Sequence, residues 1–340
     1  MKNILALKIN EQSQISETRR LTNYAATAMG FNETDRGRIS ILVTELAGNL
    51  VKHAARGGEF QLYRRGTGEY EGLEILSIDK GPGMTNIAEC MRDGYSTAGS
   101  PGTGLGSVSR LSDYFEIFSS PAHGTIILSR VWLNKNRHRT PVEDYDFGAV
   151  AIPKPGEDVS GDKWAMKYND RKILIMVSDG LGHGINASEA SLEAVKAFDK
   201  CESVVLPEIM EAIHLGLKHT RGAAVALTEI DPDKNSVQYC GIGNITSAVV
   251  SPDASRSMVS HNGIVGHEVR KIHVFNYPWT HESLLIMHSD GIGTRWNLDK
   301  YPGIIQRSSS IISSVLYRDF QRGNDDVTVI ALKAQNKFQK

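Results

Sequence analysis

The chain has 340 residues, of which 40% are hydrophobic and 23% charged, and its formal net charge is -1. So even a balance gives no electrostatic case for a nucleic-acid or membrane-surface partner, and recognition must rest on local sites. The length points to about two domains, each able to bury its own core. Cys90, Cys201 and Cys240 stand far apart without a CxxC pair, which argues against a disulfide framework or a thiolate zinc site. The opening "MKNILALKIN" is too polar for a signal peptide, and no run approaches the ~18 apolar residues of a membrane span. The expectation is a cytoplasmic protein.

Residues 16–29 read as a helix, broken at Gly30-Phe31-Asn32, and "ETDRGRISILVTELAGNLVKHAA" as a second one. In the second, Ile39, Leu42, Val43, Leu46 and Leu50 recur at helical spacing. Strand-like runs follow at 59–64, 73–78, 114–119 and 124–132, with a short helix after the glycines at 102–106. The stretch "NKNRHRTPVEDY" at 134–145 is polar, basic and proline-containing, as a linker should be. Beyond it, strands are expected at 148–152, 173–178, 223–230, 236–240, 246–250, 283–288 and 326–333, and helices near 187–199, 204–220 and 304–320. Strands dominate and helices come in separate blocks, which suits a β-rich sandwich flanked by helices.

On the second helix Glu45, Asn49, Lys52 and His53 fall at i, i+4, i+7 and i+8, so they share one face beside the apolar stripe. After the run 73–78 comes Asp79 with Gly81 and Gly83, and "STAGSPGTGLGSVSR" supplies Gly99, Gly102, Gly104 and Gly106 before a helix. Glycines let backbone N–H groups approach phosphate oxygens, and a helix N-terminus adds partial positive charge. A single such loop is weak evidence; ExxxNxxKHA, DxGPGM and GTGLG in that order are strong evidence.

Over residues 10–132 this order resembles the Bergerat-fold ATPases, the superfamily of histidine kinases, gyrase and Hsp90, and within it the anti-sigma-factor serine kinases of the switch-kinase type. The resemblance implies that Asn49 holds Mg²⁺ on the ATP phosphates and that Asp79 accepts a hydrogen bond from the adenine amino group. Lys52 and His53 join the nucleotide site; Gly81, Gly83, Gly102, Thr103, Gly104, Leu105 and Gly106 shape the pocket and its lid, and Thr125 helps seat the adenine. Glu45, one turn before Asn49, is placed to take the proton from an attacking hydroxyl, or else to orient Asn49. No phospho-accepting histidine helix precedes the motifs, so transfer to a partner's Ser or Thr is expected.

In the second half, acidic residues stand where strands end: "EDVSGDKW" (Asp158, Asp162), "ILIMVSDGLGHG" (Asp179), "LLIMHSDGIG" (Asp290) and "GNDDVTVIAL" (Asp325, Asp326). One Asp-Gly is usually a turn. Several carboxylates converging from separate strands suit hard cations such as Mg²⁺ or Mn²⁺. SGD, SDGLGHG, SDGIG and DDVTV resemble, over residues 146–333, the metal-dependent phosphatases of the PP2C superfamily in its SpoIIE-like or RsbX-like branch. By resemblance Asp162, Asp179 and the Gly180 carbonyl hold two Mn²⁺ or Mg²⁺ ions with Asp290 and Asp325, Asp326 being the rival to Asp325, and a phosphoserine or phosphothreonine is hydrolysed in line. His183, on a glycine-rich turn, is either general acid to the leaving oxygen or a surface loop residue. "PKPGEDVSGD" lacks the arginine motif of larger PP2C enzymes, which leaves Arg221 as the candidate phosphate contact.

The resulting expectation is an α+β chain, an N-terminal Bergerat (GHKL) α/β sandwich followed by a PP2C-like αββα sandwich. The boundaries are 1–134 for a Ser/Thr kinase domain, 135–146 for a linker and 147–340 for a phosphatase domain. ATP, Mg²⁺ and Mn²⁺ are the implied cofactors, and STAS-domain proteins of a partner-switching or stressosome pathway the implied partners, with a homodimer left open. The alternative is an ATP-binding recognition module controlling a catalytic phosphatase; Glu45 weighs against it, because a pure nucleotide sensor needs no base.

Overall fold

The computed structural model describes residues 2–54, 57–66, 71–92, 104–121, 123–134, 145–169, 171–269 and 271–334. By its contacts the chain forms two compact units, one of Met1–His138 with Asp299–Arg318, the other of Arg139–Leu298 with Asp319–Lys340. No helix among the described residues is long and apolar enough to cross a membrane.

The first unit runs β1 (Lys2–Ile9), α1 (Gln12–Ala28), α2 (Glu33–His53), β2 (Gly58–Arg65), β3 (Gly72–Asp79), α3 (Ile87–Cys90), α4 (Gly104–Leu111), β4 (Tyr114–Ser120) and β5 (Gly124–Trp132). Its five strands pair antiparallel in the order β1-β2-β3-β5-β4. The break between α1 and α2 is built from Gly30 at φ +86° and from the Asn32 side chain, which accepts the Asp35 N–H at 2.8 Å. Glu33 and Asp35 in the first turn of α2 and Lys52 and His53 in its last complement the helix dipole. The stripe Ile39, Leu42, Val43, Leu46 and Leu50 then packs into one core with Phe60, Leu62, Leu73 and Ile75.

Residues alternate across a strand, so a core face holding Leu73 and Ile75 also carries Asp79 at the end of β3 on the side of the helices. The opposite face is also buried and mixes apolar with polar side chains: Leu76 and Ile78 lie on it, Glu74 is fully enclosed, and Gln61, Glu59 and Arg130 accompany it. The cover is a later segment of the chain, the helix Ser309–Phe320, whose Ser310 and Tyr317 hydroxyls donate to Glu74 and Glu59, and β3 is therefore buried almost throughout instead of every second residue. Strand β1 was not expected from sequence. It is an edge strand with only Leu5, Leu7 and Ile9 turned inward and lysines at either end, too weak a pattern to separate from an unstructured terminus.

The second unit contains β6 (Tyr145–Ile152), β7 (Asp162–Asn169), β8 (Lys172–Gly180), α5 (Ile185–Lys200), α6 (Leu206–Gly216), β9 (Ala223–Asp231), β10 (Ser236–Ile242), β11 (Thr246–Ser251), β12 (Ala254–Ser257), β13 (Ser260–His261), β14 (Phe275–Pro278) and β15 (Leu284–His288). Then follow α7 (Ser309–Phe320), which begins in the first unit, and β16 (Val327–Ala334). One sheet has the order β13-β10-β9-β8-β7 with β14 on β10, the other β12-β11-β15-β16-β6. They pack face to face, with the Thr228 hydroxyl 3.3 Å from the Met287 sulfur and the Phe147 and Trp164 rings 4.9 Å apart. Helices α5 and α6 cover the outer face of the first sheet, where Phe198, Ile209 and Ile213 meet Leu174, Met176 and Leu227.

Candidate functional site

Strand parity also sets the second unit's chemistry. Leu174 and Met176 face α5 and α6, and Ser178 continues that face with its hydroxyl 3.0 Å from that of Ser191 on α5. Asp179 therefore belongs to the opposite face, between the sheets, at the end of β8. Its cross-strand partner on β7 is Asp162. From the other sheet, Asp290 follows β15 while Asp325 and Asp326 precede β16, and these two strands are antiparallel neighbours, so all five aspartates gather at one end of the sandwich.

Like charges directly opposite on paired strands destabilise a sheet unless something offsets them. Burial, reinforced by Asp162, Asp290, Asp325 and Asp326, pushes the Asp179 carboxyl up to about 9. Asp162 rises to about 7 through burial and its acidic neighbours Asp326 and Asp290, with Ser289 and Thr328 partly offsetting this. Asp290 is raised by burial and Asp325, although Asn244 donates to its Oδ2 at 2.7 Å. Asp162 Oδ2 and Asp326 Oδ2 are buried without a hydrogen-bond partner. A divalent cation answers all of these features at once. Among the described residues no three acidic, His or Cys side chains form a finished metal shell. Carboxylate oxygens are the ligands that Mg²⁺ and Mn²⁺ take, with waters completing the shell.

The backbone around the cluster is tight. A Cβ on Gly180 would lie 2.0 Å from the Ala187 carbonyl at the start of α5, so only glycine lets the chain turn there. The Asp326 Oδ1 accepts the Lys154 N–H at 2.9 Å, and Asp325 Oδ1 accepts the Asp326 N–H at 2.9 Å. His183 lies on the turn after Gly180, where Arg221 also arrives: its Nη1 is 3.2 Å from where a Gly182 Cβ would stand. Sequence reasoning missed Asn244, Glu157 and Lys163. Glu157 accepts from His183 Nδ1 at 2.6 Å, and Lys163, its pKa lowered by burial against Asp162 and Asp326, reaches the Ser160 carbonyl at 2.7 Å. Lys163 adjoins SGD in sequence, but neither Asn244 nor Glu157 carries a local signal.

In the first unit, Glu45 and Asn49 are half-buried on α2, and Lys52 and His53 are exposed at its end. Helix α4 starts at Gly104, so Gly104, Leu105 and Gly106 form its first turn, earlier than the sequence suggests. A Cβ on Gly104 would come 2.9 Å from Glu45 Oε2 and 3.9 Å from Asn49 Oδ1, which places Gly104 against the polar face of α2. Gly102 and Thr103 lie outside the described residues. The Asp79 Oδ1 accepts the N–H groups of Gly81 at 2.7 Å and Thr125 at 3.2 Å, while burial raises its pKa. Gly83, at φ +74°, completes the turn, and the Thr125 hydroxyl is 2.9 Å from that of Ser119. His53 is lowered by burial and by Lys52, against the pull of Asp79. The structure thus joins Glu45, Asn49 and Gly104 at one part of α2, and His53, Asp79, Gly81 and Thr125 at its end.

The family described as histidine kinase-like ATPase domain matches residues 10–130. The serine/threonine-protein kinase RsbT of Bacillus subtilis (strain 168) is 37% identical over 129 residues, 37% of this chain and 95% of that protein. The chain belongs to the histidine kinase-like ATPase family. The family described as stage II sporulation protein E (SpoIIE) matches residues 169–335. The phosphoserine phosphatase RsbX of the same organism is 26% identical over 183 residues, 53% of this chain and 89% of that protein. A solved structure described as the bacterial stressosome, a modular system adapted to control secondary messenger signaling, is 25% identical with a TM-score of 0.53, covering 56% of this chain and 100% of its own. RsbX in complex with magnesium, at 23% identity and a TM-score of 0.51, covers 58% of this chain and 98% of its own and shows the same fold. The RsbT-like part contains Glu45, Asn49 and Asp79, and the SpoIIE-type match contains Asp179, Asp290, Asp325 and Asp326. Asp162 and Glu157 stand just ahead of that match and join it through the β7 and β8 pairing and the His183 contact.

Proposed function

We propose that the chain is a bifunctional signalling regulator: an ATP-dependent Ser/Thr kinase and a metal-dependent phosphoserine/phosphothreonine phosphatase acting on STAS-domain partners of a partner-switching or stressosome pathway. The observation that carries it is Asp162 paired across the strands with Asp179, buried, with an unsatisfied carboxylate oxygen, in a chain that also sets Gly104 against Glu45 and Asn49.

In the phosphatase unit Asp162, Asp179, the Gly180 carbonyl, Asp290 and Asp325 would hold two Mg²⁺ or Mn²⁺ ions, with Asp326 buried beside them. Bound there, the metals supply charge neutralisation and an acidified water at neutral pH. Asn244 orients Asp290, Arg221 contacts substrate phosphate, and His183 protonates the departing serine or threonine oxygen. In the kinase unit Asn49 would hold the Mg²⁺ of Mg-ATP, Asp79 would receive the adenine amino group, and Glu45 would take the hydroxyl proton of the acceptor Ser or Thr. Both activities on one residue would cycle ATP to no end, so the two units act on different phosphosites or under a signal that silences one.

Incubation of the full chain with labelled ATP, Mg²⁺ and a STAS-domain acceptor should give phosphoprotein, and Mn²⁺ should support hydrolysis of an aryl phosphate. No transfer under any Mg²⁺ condition sinks the kinase reading, and metal-independent hydrolysis sinks the phosphatase reading.

A further inference from the structure

His183 and Glu157 are 26 positions apart in sequence, yet His183 Nδ1 lies 2.6 Å from Glu157 Oε1. The other carboxylate oxygen is also placed: Glu157 Oε2 is 2.8 Å from where a Cβ on Gly184 would stand, and Gly184 has φ +72°. Only glycine lets the carboxylate lie against this turn.

Both loops are pinned to the aspartates. The Glu157 N–H donates to the Lys154 carbonyl at 2.9 Å, and the Lys154 N–H donates to Asp326 Oδ1. On the other side, the Gly180 N–H donates to the Gly161 carbonyl at 3.2 Å and the Leu181 N–H to the Gly222 carbonyl at 3.0 Å, beside Arg221. Even as an ion pair, an exposed contact of this kind would contribute at most about 1 kcal/mol to stability, too little to account for two loops held in register around it. The His183 and Glu157 side chains are 49% and 30% exposed, open to a macromolecular substrate.

We propose that Glu157 is a positioning residue for His183: it accepts Nδ1–H and sets the ring orientation, so that Nε2 faces the leaving oxygen. This rests on the phosphatase reading above. In the step concerned, a water oxygen forms its bond to phosphorus as the bond between phosphorus and the serine oxygen breaks. The Nε2 proton passes to that serine oxygen, and His183 is reprotonated by the proton released from the attacking water. The acid matters when the leaving group is a poor one and little when it departs readily as an anion.

The experiment compares the full chain with Glu157→Gln and His183→Gln in Mn²⁺, on p-nitrophenyl phosphate, on phenyl phosphate, whose phenol titrates near 10 as a tyrosine does, and on a synthetic phosphoserine peptide. Glu157→Gln should lower kcat about 10- to 100-fold on phenyl phosphate and the peptide, part of what a general acid contributes, with KM little changed. On p-nitrophenyl phosphate it should stay within about 3-fold of the parent by the same reasoning. The double variant should be no slower than His183→Gln, because the two side chains act as one unit. An equal loss on all three substrates, or effects that multiply in the double variant, would overturn the pair while leaving the phosphatase reading intact. No metal-dependent hydrolysis of p-nitrophenyl phosphate by the parent chain would overturn both.

Discussion

Both ring nitrogens of His288, at the end of β15, are engaged. Trp296 can only donate, so its Nε1–H bond to His288 Nε2 at 3.0 Å requires the proton to sit on Nδ1, which donates to the Ser289 carbonyl at 2.8 Å. Burial, aided by Arg322 and opposed by the Ser289 bond, accordingly lowers the imidazole to about 4. Trp296→Phe leaves Nε2 buried without a donor and should cost about 1–3 kcal/mol, read as a lower urea midpoint with an unchanged slope. Asp79 makes a different kind of residue-scale prediction. Its Oδ1 is already held by Gly81 and Thr125, so Asp79→Asn keeps the size of the side chain and loses the charge that strengthens its role as acceptor. ATP should bind about 10- to 100-fold more weakly, the equivalent of one charge-assisted hydrogen bond, by calorimetric titration.

Helix α7 meets strand β3 at a buried carboxylate. Glu74 Oε2 accepts Arg130 Nε at 2.6 Å and Arg65 Nη1 at 2.9 Å, and its Oε1 accepts the Ser310 hydroxyl at 2.9 Å. Burial alone would raise this carboxyl, but the two guanidiniums outweigh it and hold it below the usual range. A depressed carboxyl contributes stability that is present above the unfolded-state value, near 4.3, and lost as pH falls through the lower folded value. Acid titration of the parent should therefore show a loss of stability below about pH 4 that is missing in Glu74→Gln. At neutral pH that variant should be weaker by about 3–5 kcal/mol, as expected when one charge of a buried ion pair is removed. An unchanged acid limb would show that the guanidiniums do not set this titration.

At the scale of the molecule, the proposed kinase and phosphatase sites draw on separate residues of one chain. Asn49→Ala should abolish nucleotide binding and leave Mn²⁺-dependent aryl phosphate hydrolysis intact. Asp179→Asn should do the reverse, lowering hydrolysis by at least about 100-fold, as expected when a hard cation loses a first ligand, while phosphoprotein made from ATP accumulates. Loss of both activities in either variant would contradict the assignment of one site to each half.

Helices α1 and α2, the strands at 59–64, 73–78 and 124–132, and the aspartates of SGD, SDG and DDV were legible in the sequence because each rests on local spacing: an apolar stripe of period 3.6, runs of apolar residues, and acids at strand ends. Strand β7 was not, since Trp164, Ala165 and Met166 are hemmed in by lysines and an acid, and its pattern emerges only when β8 pairs with it. The same pairing sets Asp162 opposite Asp179, which no spacing in the chain reveals. Likewise Asn244 reaches Asp290 across 46 residues, Glu157 reaches His183 across 26, and Ser310 reaches Glu74 across 236. Local geometry along the chain determined which residues could carry the chemistry. Only the packing of strand ends and loops from distant parts of the chain decided which of them meet, because hydrogen bonds and carboxylate repulsion act over a few ångströms of space and take no account of separation in sequence.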